Sequence, residues 1–186
     1  MLRYIDGDEG AFDKLYCRFE KPILSFIYRI VSNTTEAEDL CQETFLKVVQ
    51  AKRRYKANGI FKTWLFRIAL NLCRDKLRRT KVHSKASLNA AKFSQSCDTA
   101  DIPEATISDA SSDPVRHSEI DEMSRLVQQA FAKLTEEQRT VVILREYHSL
   151  QFAEVAEIMN SPVSTVKSLN YRGHEKLLKL LSKHID

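Results

Sequence analysis

Residues 61–79 read FKTWLFRIALNLCRDKLRR, and their pattern is the clearest indication of the fold class. Its apolar side chains recur every three or four residues, which is the period of an α-helix with one buried face. We interpret Trp64 as a packing residue of that face rather than as a base-stacking residue. The pattern predicts a helix from about Ile60 to Arg79 whose apolar stripe contains Phe61, Trp64, Leu65, Ile68, Leu72 and Leu77.

The helical period continues towards the N-terminus. Apolar residues at helical spacing predict one helix across residues 12–30, in which Pro22 marks a kink or a break. A second helix is predicted across residues 37–49, opened by a capping box from Thr35 to Glu38. No alternating strand pattern is present, so we expect a helical bundle here.

The C-terminal part is also helical in pattern. Amphipathic helices are predicted across residues 120–134, from a capping box at Thr135 to about Tyr147, and across residues 152–159. Ser161 is the expected N-cap of a last helix, which runs to about Lys183. A short helix, a tight turn and a longer helix are typical of a helix-turn-helix.

Residues 84–118 differ from both flanks because they are rich in Ser, Ala, Asp and Thr and lack a sustained apolar period. This composition predicts a flexible, acidic linker. We therefore expect an all-α protein with two small helical domains, 1–83 and 119–186, joined by the linker 84–118.

Composition excludes several classes of protein. The chain has 186 residues, 43% hydrophobic and 29% charged, which is ordinary for a globular protein and excludes global disorder. No apolar run approaches the roughly 18 residues of a membrane helix, and residues 1–6 lack the apolar segment of a signal peptide. We expect a cytoplasmic protein without membrane insertion.

No pattern of a chemical centre stands out. The four cysteines form no CxxC pair, no HExxH occurs among the five histidines, and no phosphate-binding GxxxxGK[ST] run is present. Cys17, Cys41 and Cys73 fall in apolar helical patterns, where a thiol packs as a small hydrophobe, with a redox switch as the alternative. We expect no metal, no cofactor and no catalytic residues.

The basic charge is concentrated in the first segment. Residues 1–80 carry 16 Lys and Arg against 10 Asp and Glu, whereas residues 119–186 carry 9 against 10. A basic segment suggests a polyanionic partner, although a solvated basic face is the simpler alternative.

Three sets of polar residues are candidate binding sites. On the second predicted helix, Asp39, Gln42 and Glu43 share one face, which suits a cationic partner or is simply solvated.

A basic loop and a basic helical stripe suit single-stranded nucleic acid, since charges follow the backbone and a ring stacks on a base. These residues are Lys52, Arg53, Arg54, Tyr55, Lys56, Arg67, Asn71, Arg74 and Arg78. On the last helix, Lys167, Ser168, Tyr171 and Arg172 share a face suited to a major groove.

Together, the stretches AEDLCQETFL (37–46), FKTWLFRIALNLCRDKLRR (61–79), LTEEQR (134–139), EVAEIM (154–159) and TVKS (165–168) resemble an extracytoplasmic-function (ECF) sigma factor. The resemblance covers nearly the whole chain and implies a region-2 domain and a region-4 domain. It implies that Asp39, Gln42 and Glu43 bind the RNA polymerase core. It also implies that the basic loop and stripe bind and melt the −10 element, with Tyr55 as a wall of the base pocket and Asn71 as a base contact.

By the same resemblance, the face around Lys167 binds the −35 element, the linker threads the polymerase cleft, and an anti-sigma factor is a candidate partner. The sequence departs from the family pattern at Leu169 and His174, where arginines are usual, and at Ser164, Asn170 and Gln151. Two lost basic residues in a module of net charge −1 predict weak binding to duplex −35 DNA.

Two other classes of protein remain as alternatives. A non-sigma regulator that uses only the helix-turn-helix would leave residues 37–46 and 61–79 unexplained. An enzyme acting on nucleic acid would need a catalytic constellation that the sequence does not display.

Overall fold

The computed structural model describes residues 1–52, 55, 60–87 and 125–182. The helices are α1 (Leu2–Ile5), α2 (Glu9–Val31), α3 (Thr34–Gln50), α4 (Phe61–Ser87), α5 (125–132), α6 (Glu136–Val142), α7 (Phe152–Met159) and α8 (Val163–Leu181). One π-helical turn, Ile143–Tyr147, follows α6 directly. The described part of the chain has no strand, and the predicted all-α class is confirmed.

The described residues fall into two compact units, one within Met1–Pro103 and the other within Glu104–Asp186. Helix α4 continues past Arg79 to Ser87, so the first residues of the predicted linker belong to that helix. The rest of the predicted linker lies outside the described residues. Among the helices in view, none is both long enough and apolar enough to cross a membrane.

In the first unit, α2 runs from Glu9 to Val31 without a break at Pro22, where the sequence predicted a kink or a break. Asp8 caps its start, because its Oδ1 accepts a hydrogen bond from Ala11 N at 3.1 Å. Proline removes one backbone hydrogen bond from a helix, at a cost of about 3 kcal/mol. Burial of the apolar face offsets this cost, since Ile23, Phe26 and Ile27 lie fully inside the core.

Helix α3 begins earlier than the sequence predicted. Asn33 is its N-cap, and the Oδ1 atom accepts from Glu36 N at 2.9 Å. The predicted capping box from Thr35 to Glu38 is therefore wrong. Asn33 has the extended backbone of an N-cap, which leaves Thr35 inside the helix.

The first core lies where α2, α3 and α4 pack on one another. The rings of Phe26 on α2 and Phe66 on α4 meet edge to face, with centroids 5.2 Å apart. Leu65 and Leu70 are also fully buried. This core fixes the outward directions of α3 and α4, which carry the candidate residues.

In the second unit, α8 packs on α6 and α7. The predicted capping box of α6 is confirmed, because Thr135 and Gln138 exchange two hydrogen bonds of 3.2 Å. The predicted cap at Ser161 is wrong, since Pro162 is the N-cap of α8 and the Ser161 hydroxyl donates to Met159 O at 3.3 Å. The turn before α8 contains Asn160 in the left-handed conformation, with φ of 51°.

Basic side chains satisfy the carbonyl groups at the end of α5. Arg139 donates through Nε to Phe131 O at 3.0 Å and through Nη2 to Ala132 O at 3.1 Å. Lys176 of α8 donates to Lys133 O. These contacts join α5 to α6 and α8, and burial lowers the pKa of Arg139.

Candidate functional site

The acidic face of α3 is open to solvent, as the sequence predicted. Asp39, Gln42 and Glu43 are exposed, while Leu40 and Cys41 between them are buried. Glu43 also has an ion pair with Lys47 of 3.6 Å, between side chains that are about half exposed. Such a pair contributes little to stability, so the carboxylate is available to another cation.

The sequence analysis missed an apolar part of this face. Leu46 is 59% exposed and Val49 is 40% exposed, and they follow Gln42 by one and two helical turns. We call Asp39, Gln42, Glu43, Leu46 and Val49 the α3 face. The helical spacing from Gln42 would have revealed Leu46. Val49 follows Phe45 by four residues and was therefore predicted for the buried stripe, but it is partly exposed at the end of the helix.

The α3 face rests on a well-packed support. Tyr16 donates to Glu20 Oε1 at 2.8 Å, and its ring lies 4.8 Å from that of Phe45. The hydrogen bond to Glu20 raises the pKa of Tyr16 to about 12. Burial raises the pKa of the Cys41 thiol to about 12, so this thiol stays protonated. A protonated, buried Cys41 acts as packing and does not suit a reactive centre.

The predicted stripe on α4 lies on one side of that helix. Asn71 and Arg78 are exposed, and Arg67 and Arg74 are half buried. Arg78 has an ion pair with Asp75 of 3.3 Å at the helix surface. The four residues therefore form a polar strip along the helix, and we call them the α4 strip.

Tyr55 lies at the N-terminal end of α4 and belongs to an aromatic cluster. Its ring centroid is 4.9 Å from Trp64 and 6.1 Å from Phe61, both edge to face. Phe61 in turn packs on Phe19 of α2 at 5.5 Å. Tyr55 is half buried, so part of its ring remains accessible. Trp64 contacts Tyr55 and Phe61, which agrees with its predicted packing role.

The basic loop is described only in part. Arg53, Arg54 and Lys56 lie outside the described residues. Lys52 contacts α1, because its Nζ lies 4.0 Å from the ring centroid of Tyr4. A sequence pattern cannot reveal this contact, because α1 and the loop meet only through the tertiary fold.

The predicted residues of α8 are all exposed. Lys167, Ser168, Tyr171 and Arg172 lie on one side of the helix, and Tyr171 is 73% exposed. The Ser168 hydroxyl already donates to Ser164 O at 2.7 Å. Lys167, Tyr171 and Arg172 are therefore the long side chains that this face presents.

Arg145 is a further basic residue near this face, and the sequence analysis missed it. The Phe152 ring has two cations nearby, with Arg145 Cζ 4.2 Å and Lys167 Nζ 5.9 Å from its centroid. Arg145 also donates to Leu150 O. Arg145 on the π turn and Lys167 on α8 thus each lie near the Phe152 ring at the start of α7. We call Arg145, Lys167, Tyr171 and Arg172 the α8 face.

Position 174 does not belong to the α8 face. His174 Nε2 lies 3.3 Å from Glu146 Oε1, and its Nδ1 lies 2.9 Å from Asn170 O. Leu169 is half buried. The expectation that His174 marks a lost DNA contact is not supported by its position, because the ring faces its own domain.

Family models match both units. The model for sigma-70 region 2 matches residues 15–82, and the model for sigma-70 region 4 matches residues 124–177. The first match contains the α3 face and the α4 strip, and the second contains the α8 face.

Curated relatives match along nearly the full length. RNA polymerase sigma-H factor of Pseudomonas aeruginosa is 33% identical, over 94% of this chain and 88% of the relative. The ECF RNA polymerase sigma factor SigW of Bacillus subtilis is also 33% identical, over 94% of this chain and 91% of the relative.

Solved structures share the fold. The sigma factor RpoE of Bartonella quintana, crystallised with the anti-sigma factor NepR, aligns with a TM-score of 0.73 and 22% identity, over 92% of this chain and 97% of that one. CnrH, solved with the cytosolic domain of CnrY, aligns with a TM-score of 0.71 and 22% identity, over 98% of this chain and 94% of that one. On the evidence of both family models and the full-length relatives, the chain belongs to the extracytoplasmic-function sigma factors of the sigma-70 family.

Proposed function

We propose a division of labour among three surfaces of this sigma factor. The chain binds the RNA polymerase core and directs promoter-specific initiation of transcription. Our proposal assigns core binding to the α3 face, capture of the −10 element to the α4 strip and Tyr55, and binding of the −35 element to the α8 face. Residues 1–87 and 119–186 would then act as separate domains joined by the rest of the predicted linker, 88–118.

The α3 face suits a protein partner because it combines carboxylates with apolar contact area. Asp39 and Glu43 supply charge for a basic partner surface, and Gln42 supplies an amide. Leu46 and Val49 add exposed apolar area. Exposed apolar area does not stabilise an isolated chain, and it suits contact with a partner. The single observation that carries the proposal is this exposed acidic and apolar face on an otherwise basic unit.

The α4 strip and Tyr55 suit an unpaired DNA strand. Arg67, Arg74 and Arg78 would follow the phosphates, and the amide of Asn71 would read a base edge. The accessible part of the Tyr55 ring would stack on a flipped base, supported from behind by Trp64. Arg53, Arg54 and Lys56 are proposed to extend this site on the basis of the family resemblance.

Promoter melting would then need no nucleotide hydrolysis by the sigma factor. Unstacking a base costs a few kcal/mol, and capture of that base in a pocket offsets the cost. Binding that favours the open strand is sufficient. We accordingly propose that the chain is a non-catalytic specificity subunit without a cofactor or a metal.

The α8 face suits duplex DNA. Lys167, Tyr171 and Arg172 would reach into the major groove or to its phosphates, with Ser168 at the edge of the contact. Arg145 shares the Phe152 ring with Lys167 and would add a phosphate contact before the helix-turn-helix. Arg145 is already counted in the net charge of −1, so its effect would come from its position near the α8 face and not from additional charge.

Two further proposals concern the cellular setting. We expect the chain to work in the cytoplasm, together with RNA polymerase. An anti-sigma factor is a candidate partner, because the RpoE and CnrH structures were each solved with a second protein, named as an anti-sigma factor for RpoE.

Charge reversal on the α3 face tests the proposal. Asp39→Arg with Glu43→Arg should abolish co-purification with bacterial core polymerase while the helical circular dichroism signal stays unchanged. A matched control is Glu9→Arg with Asp13→Arg, which reverses two exposed carboxylates at the same spacing on α2. Undiminished binding by the folded α3 variant would contradict the assignment. In vitro transcription from a genomic fragment library with the wild-type holoenzyme would identify a promoter for the later experiments.

A further inference from the structure

The N-terminal helix α1 contacts the beginning of the basic loop through two residues. Tyr4 is buried, with 9% of its surface exposed, and its ring packs on Phe12 of α2 at 5.1 Å. The Nζ of Lys52 lies 4.0 Å from the Tyr4 ring centroid, well within the range of a cation–π contact. The contact therefore joins α1, fixed on α2, to the residue that follows the end of α3.

Backbone contacts hold both partners in place. The turn after α1 closes with a hydrogen bond of 2.9 Å from Asp8 N to Arg3 O, and Asp8 caps α2. On the other side, Ala51 N donates to Lys47 O at 2.9 Å, and Tyr55 N donates to Ala51 O at 3.0 Å. Lys52 thus follows Ala51, whose backbone is bonded to α3, and precedes Tyr55, whose ring packs in the aromatic cluster.

We propose that Tyr4 is a positioning residue for the −10 site, acting through Lys52. The ring holds the ammonium group, fixes the start of the loop and so keeps Tyr55 in place for base stacking. Lys52 then supports the site from behind, rather than contacting a phosphate itself. This inference rests on the proposed role of Tyr55 and the α4 strip in binding the −10 element.

The energetic argument is one of preorganisation. When the Tyr4–Lys52 contact is lost, Lys52 and Tyr55 are held less firmly. The apparent affinity for DNA then falls in proportion to the fraction of molecules in which Tyr55 stays correctly placed. A cation–π contact limits this loss to about 2- to 30-fold. The loss of affinity should be the same at all salt concentrations. A phosphate contact would release a counterion from DNA, whereas Lys52 in this role does not.

The test uses holoenzyme and a fork-junction DNA that carries the −10 element of the identified promoter as a single strand. Tyr4→Leu and Lys52→Met should each lower the affinity by about 2- to 30-fold. The affinity of the double variant should equal that of the single variant with the larger loss, because both changes remove the same contact. All three variants should keep the salt slope of wild type.

Conservative variants separate positioning from general damage to the fold. Tyr4→Phe keeps the ring, and Lys52→Arg keeps a cation above it, so both should bind the fork as wild type does. Lys14→Met removes an exposed lysine of α2 and controls for the loss of one charge. If Tyr4→Leu no longer binds core polymerase, the comparison of Lys52→Met with Lys52→Arg decides the question alone.

Three outcomes would overturn the inference. A salt slope for Lys52→Met that is lower by about one unit, with Tyr4→Leu unchanged, would assign Lys52 to direct DNA contact. Additive losses in the double variant would likewise show that the two residues act separately. Tyr55→Ala and Asn71→Ala serve as reference variants. If Tyr55→Ala and Asn71→Ala also leave fork binding unchanged, the proposed −10 site itself is wrong. If these two variants lose affinity but the Tyr4 and Lys52 variants do not, only the role of Tyr4 is overturned.

Discussion

Gly173 of α8 faces Val142 of α6 so closely that a β-carbon on the glycine would lie 2.9 Å from Val142 Cγ2. The same β-carbon would lie 3.7 Å from Gln138 Cβ. Because real β-carbons almost never approach a heavy atom this closely, only glycine lets α8 pack on α6 at this distance. The crossing of the two helices, and hence the direction of the α8 face, depends on this pair.

Gly173→Ala should therefore destabilise the second unit. Alanine is normally better than glycine inside a helix by about 0.5–1 kcal/mol, but overpacking against Val142 costs about 1–3 kcal/mol. We expect a net loss of about 1 kcal/mol in the free energy of unfolding, measured by thermal unfolding of the full chain.

Two controls make the result specific to the helix crossing. Gly10→Ala, where the nearest atom would be Asp8 Oδ1 at 3.4 Å, should leave stability unchanged or raise it. Val142→Ala should recover part of the loss when combined with Gly173→Ala, since the two residues share one contact. Equal stability of Gly173→Ala and wild type would show that the helices can separate at no cost.

The comparison of sequence and structure separates local from tertiary information. The period of apolar residues was sufficient to locate α7 and the start of α6, because helix period and capping chemistry are local properties. It did not choose correctly between Asn33 and Thr35 as the cap of α3, since both residue types are good caps. It also could not choose between a kink and a break at Pro22, because it does not measure how much burial stabilises the flanking turns.

The parts of the sites that sequence missed depend on tertiary contact. Arg145 and Lys167 both lie near the Phe152 ring only because α7 packs against the π turn and against α8. The contact of Lys52 with the Tyr4 ring likewise depends on the fold, while the role of Lys52 in DNA binding stays a prediction. No spacing along the chain encodes either arrangement.

Tyr55→Ala should weaken binding of the single-stranded −10 element by about 1–3 kcal/mol if the ring stacks on a base. Tyr55→Phe should bind nearly as wild type, because the stacking surface is kept. Both are measured on holoenzyme with the fork-junction DNA. Tyr171→Ala removes a tyrosine from the second unit and should not change binding to a fork that lacks the −35 element. Equal promoter opening by Tyr55→Ala and wild type would remove the stacking role.

Asn71→Ala should relax base discrimination at one position of the −10 element. An amide that reads a base edge contributes to the preference for that base rather than to general affinity. Binding of forks with each of the four bases at every −10 position measures this preference. A uniform loss across all sequences would instead assign Asn71 to the backbone or to folding.

Lys167→Met should lower the salt slope of holoenzyme binding to a full promoter by about one unit, provided that Lys167 contacts a phosphate. His174→Arg should leave the slope unchanged, because position 174 faces Glu146 and the new guanidinium would pair with that carboxylate. The salt dependence of promoter binding, measured for both variants, checks this. A steeper slope for His174→Arg would return position 174 to the DNA-binding surface.

Cys17 and Cys41 should differ sharply in thiol reactivity. Cys17 is exposed and should be alkylated by iodoacetamide in the folded protein. Cys41 is buried and its pKa is raised to about 12. It should therefore stay protonated and unreacted even at pH 9.0, which is the ordinary pKa of a thiol. Mass spectrometry of the labelled peptides measures each site. Rapid labelling of Cys41 without unfolding would show that the support of the α3 face opens readily.

The same shift predicts how stability responds to alkaline pH. The folded-state pKa of Cys41 lies above its ordinary value of 9.0, so the folded protein holds this proton more tightly than the unfolded chain. The stabilising contribution is complete below pH 9.0 and is lost progressively as the pH rises towards about 12. Cys41→Ala should flatten the fall in the free energy of unfolding across this range, as denaturant titrations at a series of pH values would reveal.

The separation of duties along α8 has an evolutionary consequence. Val166, Gly173 and Leu177 are buried and hold the helix in place, whereas Lys167, Tyr171 and Arg172 are exposed and leave the core untouched. Exposed positions tolerate exchange with changes of about 0.5 kcal/mol or less. After a gene duplication, a copy of this protein would thus be free to drift towards new promoters one side chain at a time, without first passing through a poorly folded ancestor.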